Sequence, residues 1–184
     1  MPVTATQVGY IIAQPNSESV YVGAVLITDP YGMPLEFRHT EPITATKIQR
    51  ILYGDVLEKY ILCDVIAITL FEKLERKPDI VIVVDNRILS ALDVKSTRAV
   101  ELIETRVAPL KDFGDRHVTA PGEFLLQLSD TGSPVRVKSS NSKGADDARL
   151  DEIAEILQTI GRTMDVFEPI ARVQAALKML AEDS

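Results

Sequence analysis

The sequence predicts one α/β domain built on a mixed, largely antiparallel sheet, with a long central helix and a C-terminal helical hairpin. Three observations carry this prediction. Residues 7–40 alternate apolar, strand-like runs with turn formers, residues 46–74 carry apolar side chains at helical spacing, and residues 146–184 carry two further stripes of that kind. With 184 residues, 46% of them hydrophobic, the chain is long enough to bury such a core.

The first elements read as a three-stranded antiparallel meander. Its strands are predicted over residues 7–13, 20–28 and 35–40, separated by Gln-Pro-Asn-Ser-Glu-Ser and by a Pro-Tyr-Gly turn. Because side chains alternate along a strand, Leu35, Phe37 and His39 share one face of the third strand. The middle strand is apolar on both faces, which predicts a central position covered on both sides.

A long apolar helix follows, with Thr44 or Thr46 as its N-cap and Gly54 as a point where it kinks or divides. Next comes Ile-Val-Ile-Val-Val over residues 80–84, a continuous β-branched run typical of a strand buried on both faces. This strand ends at Asp85. Short helices are predicted over residues 86–92 and 99–107.

The last third of the sequence predicts a second hairpin and two helices. Strands over residues 123–129 and 134–139 flank Asp-Thr-Gly-Ser, a strong turn signal, and a polar, linker-like loop follows. Two amphipathic helices complete the chain, with Pro169 in the first turn of the second. We therefore divide the chain into an α/β domain, residues 1–140, and a helical hairpin, residues 146–184, that packs on this domain or forms an interface.

Composition and charge restrict the function. The formal net charge is −7 and the pI is about 4.9, so the surface repels phosphate backbones and nucleic acid is an unlikely partner. A basic group of Arg136, Lys138 and Lys143 is interpreted as a solvated hairpin edge and loop. The N-terminus lacks the features of a secretory signal and no apolar run is long enough to span a bilayer, so we expect a cytoplasmic protein without membrane contact.

Cysteine and histidine offer little chemistry. The single cysteine, Cys63, excludes an internal disulfide and a thiolate zinc cluster, and its apolar surroundings indicate a small core residue. The two histidines, His39 and His117, show no metal-ligand spacing. We accordingly predict no cofactor and assign no metal ligand.

An acidic group is the first candidate site. Two-metal phosphoryl chemistry needs several converging carboxylates, and the candidates for this role are Asp29, Glu36, Glu41 and Asp85. Asp85 follows a buried strand, which is a favoured place for such a site. The order of a meander, a helix and a strand ending in Asp resembles the ribonuclease H architecture from about residue 20 to residue 85.

That resemblance implies a metal-dependent nuclease or phosphodiesterase, with Asp29, Glu36 and Asp85 as the catalytic candidates. The family places its first Asp within the first strand, whereas Asp29 lies at a strand end. Glu58 would supply the helix carboxylate. The other interpretation is structural: Asp29 caps a turn, Asp85 caps the next helix and Glu58 is solvated.

The second candidate is the polar strand around His39. Glu36 and Arg38 lie two residues apart on it, so they form a structural ion pair or belong to a recognition surface, and the recognition surface leads to the main functional prediction. The meander and helix also resemble the roadblock and longin group of small α/β adaptor domains, which implies a dimerising scaffold without catalysis. We therefore predict a non-catalytic, self-associating interaction or regulatory protein rather than an enzyme. Its binding residues would be Glu36, Arg38, His39, Glu41, Arg50 and Tyr53. Periodicity alone equally allows Tyr53 in the core and Arg50 as a solvated helix residue.

Overall fold

The computed structural model describes residues 6–92, 98–139 and 147–182. Its strands are β1 (Val8–Ser17), β2 (Val20–Thr28), β3 (Pro34–His39), β4 (Ile43–Thr44), β5 (Ile80–Val83), β6 (Ala99–Ile103), β7 (Arg116–Ala120), β8 (Glu123–Leu126) and β9 (Val135–Ser139). Its α-helices are α1 (Lys47–Tyr53), α2 (Leu57–Lys59), α3 (Thr69–Glu72), α4 (Asn86–Leu92), α5 (Asp147–Gly161) and α6 (Glu168–Glu182).

The strands form one mixed, nine-stranded sheet with the order β3-β2-β1-β5-β6-β9-β8-β7, and β4 pairs with β2. Only the β1–β5 and β5–β6 pairs are parallel; the remaining pairs are antiparallel. The predicted fold class, including the long central helix and the C-terminal helices, is confirmed.

The central helix changes its pitch along its length. Thr46 begins it with a capping box, in which its hydroxyl accepts from the Gln49 backbone and the Gln49 side chain accepts from the Thr46 backbone. A 3-10 turn at Gly54–Val56 separates α1 from α2, and a π-helix at Tyr60–Ile68 joins α2 to α3. Gly54 has a φ of 53°, which explains the break at this glycine.

Apolar side chains alternate across the sheet and build a core on each face. On one face, the buried residues of β1, β2, β5 and β6 pack with α5 and α6 and with β8 and β9. On the other, those of β1, β2 and β5 pack with α4 and the π-helix. The sheet interior is therefore covered on both sides, as the apolar runs of β2 and β5 predict.

Gly23 lets the π-helix lie against β2 at very short range. A Cβ atom at this position would stand 2.1 Å from Cγ2 of Ile66 and 3.1 Å from the backbone oxygen of Ile12. Both distances are shorter than ordinary van der Waals contact. Only glycine fits here without movement of the helix or the strand.

One predicted element has a different structure. The segment predicted as a helix over residues 99–107 contains β6, which is buried between β5 and β9. A run of nine residues is too short for apolar spacing to separate a helix from a buried strand. Residues 93–97 and 140–146 lie outside the described part of the chain, and with them Lys143 of the predicted basic group. No helix among the described residues is long and apolar enough to cross a membrane.

Candidate active site at the end of strand β5

Asp85 lies just beyond the carboxyl end of β5 and binds Arg87, which is in the first turn of α4. Nε of Arg87 lies 3.1 Å from both carboxylate oxygens of Asp85, and Nη2 donates to Oδ2 at 2.8 Å. The backbone N–H of Arg87 donates to Oδ1 at 2.8 Å. These contacts hold the guanidinium edge-on against the carboxylate, a geometry that only arginine provides.

A second carboxylate, from the central helix, reaches the same guanidinium. Nη1 of Arg87 donates to Oε1 of Glu58 at 2.9 Å. Glu58 is in α2 and Asp85 follows β5, so the strand and the helix bring two carboxylates to one cation. The side chains of Glu58 and Arg87 are 45% and 41% exposed, so solvent reaches the group.

The hydrogen bonds within this group change the pKa values of Asp85 and Arg87. Burial by itself raises the pKa of Asp85, but hydrogen bonds from the side chain and backbone of Arg87 hold it below its ordinary value. Hydrogen bonds to Asp85 and Glu58 raise the pKa of Arg87. The group therefore contains two carboxylates and one guanidinium, with a net charge of −1.

Glu101 is a further carboxylate next to this group. It lies on β6, where it pairs with Val83 of β5, and it is 8% exposed. Its nearest cation is Lys138 on β9, with Nζ 3.9 Å from Oε2, and that oxygen accepts no hydrogen bond from the described residues. Burial raises the pKa of Glu101 and Lys138 lowers it, while the negative charges of Asp85 and Glu123 raise it further.

Replacing Glu101 by glutamine is expected to stabilise the protein at pH 7 and to have a smaller effect at pH 4. Because the folded-state pKa of Glu101 is raised, the stability linked to its protonation is present at low pH and is lost as pH rises through that pKa. Glutamine stays neutral and avoids this loss. Urea denaturation of both proteins between pH 4 and 7 measures the difference, and Glu155→Gln, on the exposed surface of α5, controls for the change in net charge. A constant difference across this range would contradict the assignment.

The other predicted catalytic residues do not join Asp85. Asp29 follows β2, whose end pairs with the start of β1, so Asp29 lies at the opposite edge of the sheet. Its Oδ1 accepts from the backbone N–H groups of Tyr31 and Met33, as expected for a residue that caps a turn. Glu36 binds Nε of Arg38 at 2.6 Å.

The residues of the predicted recognition surface are dispersed. Glu36 and Arg38 form an ion pair beside the end of α3, where Glu36 also accepts the backbone N–H groups of residues 75 and 76. His39 and Glu41 line a shallow cavity against the end of α6. His39 is exposed, although its position beside Phe37 predicts partial burial.

Arg50 and Tyr53 belong to α1, which buries no side chain. Arg50 donates to the hydroxyl of Ser19 at 2.9 Å, and Tyr53 is 39% exposed and stacks on Tyr60 at 5.1 Å between ring centroids. Tyr53 therefore lies outside the core. Whether these residues bind a ligand stays a prediction.

Arg87 and Glu101 were not among the residues that the sequence selected. Arg87 carried a signal, since a cation two residues after an Asp at the end of a strand can fold back onto it. Glu101 lay in a segment interpreted as a helix. Once that segment is a strand beside β5, an acid in its middle, among apolar neighbours, is an evident candidate.

Three solved structures show where this fold occurs. Endonuclease V from Streptomyces avermitilis matches with a TM-score of 0.62 at 12% identity, over 97% of this chain and 82% of that one. Endonuclease V from Ciona intestinalis, in complex with a 24mer DNA containing an inosine followed by a ribo-adenosine, matches with a TM-score of 0.60 at 13% identity, over 98% and 87%. Aquifex aeolicus Argonaute matches with a TM-score of 0.56 at 14% identity, over 96% of this chain and 28% of that one.

At these identities the likeness establishes the fold alone. No protein-family model matches the sequence, and neither does any curated protein.

The matches correct the main functional prediction. The adaptor interpretation depended on the order of elements in the first half of the chain, whereas the endonuclease V structures share the fold over nearly its whole length. The predictions of a non-catalytic interaction or regulatory protein, of a protein that is not an enzyme and of nucleic acid as an unlikely partner are therefore wrong, whereas self-association stays a prediction. Net charge misled here because an acidic site can still meet phosphate through an arginine or a bound divalent cation.

Proposed function

We propose that this protein is a nuclease or phosphodiesterase that acts on nucleic acid at the group formed by Glu58, Asp85 and Arg87. One observation carries the proposal: two carboxylates meet at the carboxyl end of a parallel strand, in a fold that endonuclease V and Argonaute structures share. In α/β sheets this edge is where ligands characteristically bind. We place the activity in the cytoplasm, in keeping with a sequence that has one buried cysteine and no disulfide.

The carboxylates fit one divalent cation but not two. Among the described residues, no three His, Cys, Asp or Glu side chains come together as a metal-binding group. Mg²⁺, however, is often held by only one or two protein carboxylates, with substrate phosphates and water completing its shell. Asp85 and Glu58 supply that number. A bound Mg²⁺ would neutralise the charge that develops on the phosphoryl oxygens.

The side chains of Asp85, Glu58 and Arg87 would position the substrate and supply charge at the reacting phosphate. Asp85 is oriented by the α4 backbone, which donates to it from residues 87 and 88, so its direction does not depend on a flexible partner. Glu58 is fixed by the central helix. Arg87 presents a planar cation suited to two oxygens of a phosphate. Hydrolysis adds a water oxygen to phosphorus, breaks one ester P–O bond and delivers a proton to the departing alkoxide.

The test is cleavage of end-labelled single-stranded and double-stranded DNA and RNA oligonucleotides, with MgCl₂ or MnCl₂ in large excess over enzyme. We expect cleavage that falls by about 10²–10³-fold in Asp85→Asn, the usual effect of removing one electrostatic group from a reaction centre. Glu58→Gln is expected to lower cleavage in the same direction.

Two variants make the result specific. Glu155→Gln removes an exposed carboxylate from α5 and is expected to cleave like the wild type. Asp29→Asn changes the first acid selected from the sequence, which the structure places at the opposite edge of the sheet. If the wild type cleaves none of these substrates, or if Asp29→Asn rather than Asp85→Asn loses activity, the proposed site is wrong.

A further inference from the structure

Arg87 occupies the space between the two carboxylates where a cation would bind. Its Nη1 and Nη2 lie 2.9 Å and 2.8 Å from Glu58 and Asp85, respectively, so both acids point at the same guanidinium. An arginine that only capped α4 would need Asp85 alone. The contact with Glu58, 29 residues earlier on another element, lets one guanidinium offset part of the charge of both carboxylates.

The guanidinium is held but not enclosed. Its contacts with Asp85 and Glu58 use three of the five N–H groups of an arginine side chain. The Arg87 side chain is 41% exposed, so the guanidinium can turn toward solvent, while Asp85, which is 23% exposed, keeps the backbone N–H donors of α4. Without the guanidinium, two carboxylates would face each other with a joint charge of −2, which is unfavourable unless a cation replaces it.

We propose that Arg87 is an internal counter-ion that excludes divalent cations from Asp85 and Glu58 until a nucleic-acid phosphate draws the guanidinium away. The inference rests on the proposed function, because the phosphate belongs to the substrate. Arginine pairs with phosphate as readily as with carboxylate, through the same planar fork. Substrate and cation therefore bind cooperatively, and each raises the affinity for the other by the same factor.

A counter-ion between the two carboxylates would restrict cation binding to the complex with substrate. Two open carboxylates would be free to hold a divalent cation even in the absence of substrate. A site closed by Arg87 assembles only when a phosphodiester is present, which confines the reactive state to the complex with substrate.

Binding of Mn²⁺, measured by isothermal titration calorimetry and by electron paramagnetic resonance, tests this inference without any cleavage assay. For the wild type alone we expect weak binding. Arg87→Gln is expected to bind Mn²⁺ at least about tenfold more tightly, equivalent to about 1.4 kcal/mol. Asp85→Asn in the Arg87→Gln background is expected to abolish that gain, which assigns the ion to this site.

Arg87→Lys and a DNA ligand distinguish the loss of the counter-ion from a folding defect. Arg87→Lys keeps the positive charge but lacks the planar fork, so its Mn²⁺ affinity should lie between those of the wild type and Arg87→Gln. Circular dichroism checks that each variant is folded. For the wild type, a phosphorothioate DNA oligonucleotide, which resists cleavage, is expected to strengthen Mn²⁺ binding.

The outcomes separate this inference from the proposed function. If neither Arg87→Gln nor Arg87→Lys binds Mn²⁺ more tightly than the wild type, the counter-ion role is overturned, whether or not the wild type cleaves nucleic acid. If the affinity rises as expected but no substrate is cleaved, Arg87 does exclude the cation and the nuclease proposal fails instead.

Discussion

Replacing Leu157 by alanine is expected to lower the free energy of unfolding by about 2–5 kcal/mol, the usual cost of truncating a buried leucine. Leu157 lies on α5, is 0% exposed and packs in the core shared by the C-terminal helices and the sheet. The change leaves a cavity that rigid neighbours on both sides cannot fill. Urea denaturation, followed by circular dichroism and by tyrosine fluorescence, measures the loss.

This variant also tests how the chain divides. If residues 146–184 unfold together with the sheet, both probes report one transition that shifts as a whole. Met179→Ala is the matched control, because Met179 lies on α6 but is 65% exposed, and it is expected to change stability by less than about 0.5 kcal/mol. A separate early transition in Leu157→Ala would show that the helical hairpin is an independent unit.

Replacing Gly23 by alanine is expected to destabilise the protein by about 1–3 kcal/mol, the cost of overpacking a well-filled core. The added methyl group would overlap Cγ2 of Ile66, and the backbone oxygen of Ile12 blocks a shift in the other direction. Either β2 or the π-helix must therefore move.

A double-mutant cycle distinguishes this overlap from a general effect of alanine. Ile66→Ala removes the Cγ2 atom and costs about 2–5 kcal/mol by itself because it leaves a cavity. In the double variant the new methyl group partly fills that cavity, so the two losses should sum to more than the measured loss. Simple additivity would rule out the close contact as the cause.

The sequence predicted much of the fold because its strands and helices have clear signatures. The β-branched run that forms β5 and the spaced apolar residues of the central helix identify both elements that supply carboxylates. Asp85 was selected for this reason. Asp29 was grouped with Asp85 because the sequence does not show how β1 and β5 pair. The antiparallel β1–β2 pair and the parallel β1–β5 pair together put the end of β2 at the opposite end of the strands from Asp85.

The contact between Glu58 and Arg87 could not be predicted from these signatures. Whether Glu58 and Arg87 meet depends on how far the central helix has rotated where it passes α4, and apolar spacing does not fix that angle. The π-helix and the 3-10 turn both depart from the regular 3.6-residue turn that the pattern assumes. Glu101 was missed because its strand was interpreted as a helix.

The π-helix at Tyr60–Ile68 gives the site a sensitivity that its own side chains do not show. Each residue added to or removed from a helix rotates everything before it by roughly a quarter turn relative to everything after it. Glu58 lies immediately before the π-helix, and the residues that anchor the helix to the sheet lie within it. A single-residue deletion there would turn Glu58 away from Arg87 while every site residue remained in the sequence. In related chains, gaps within this segment would therefore say more about whether the Glu58–Arg87 contact is kept than the presence of the acids themselves.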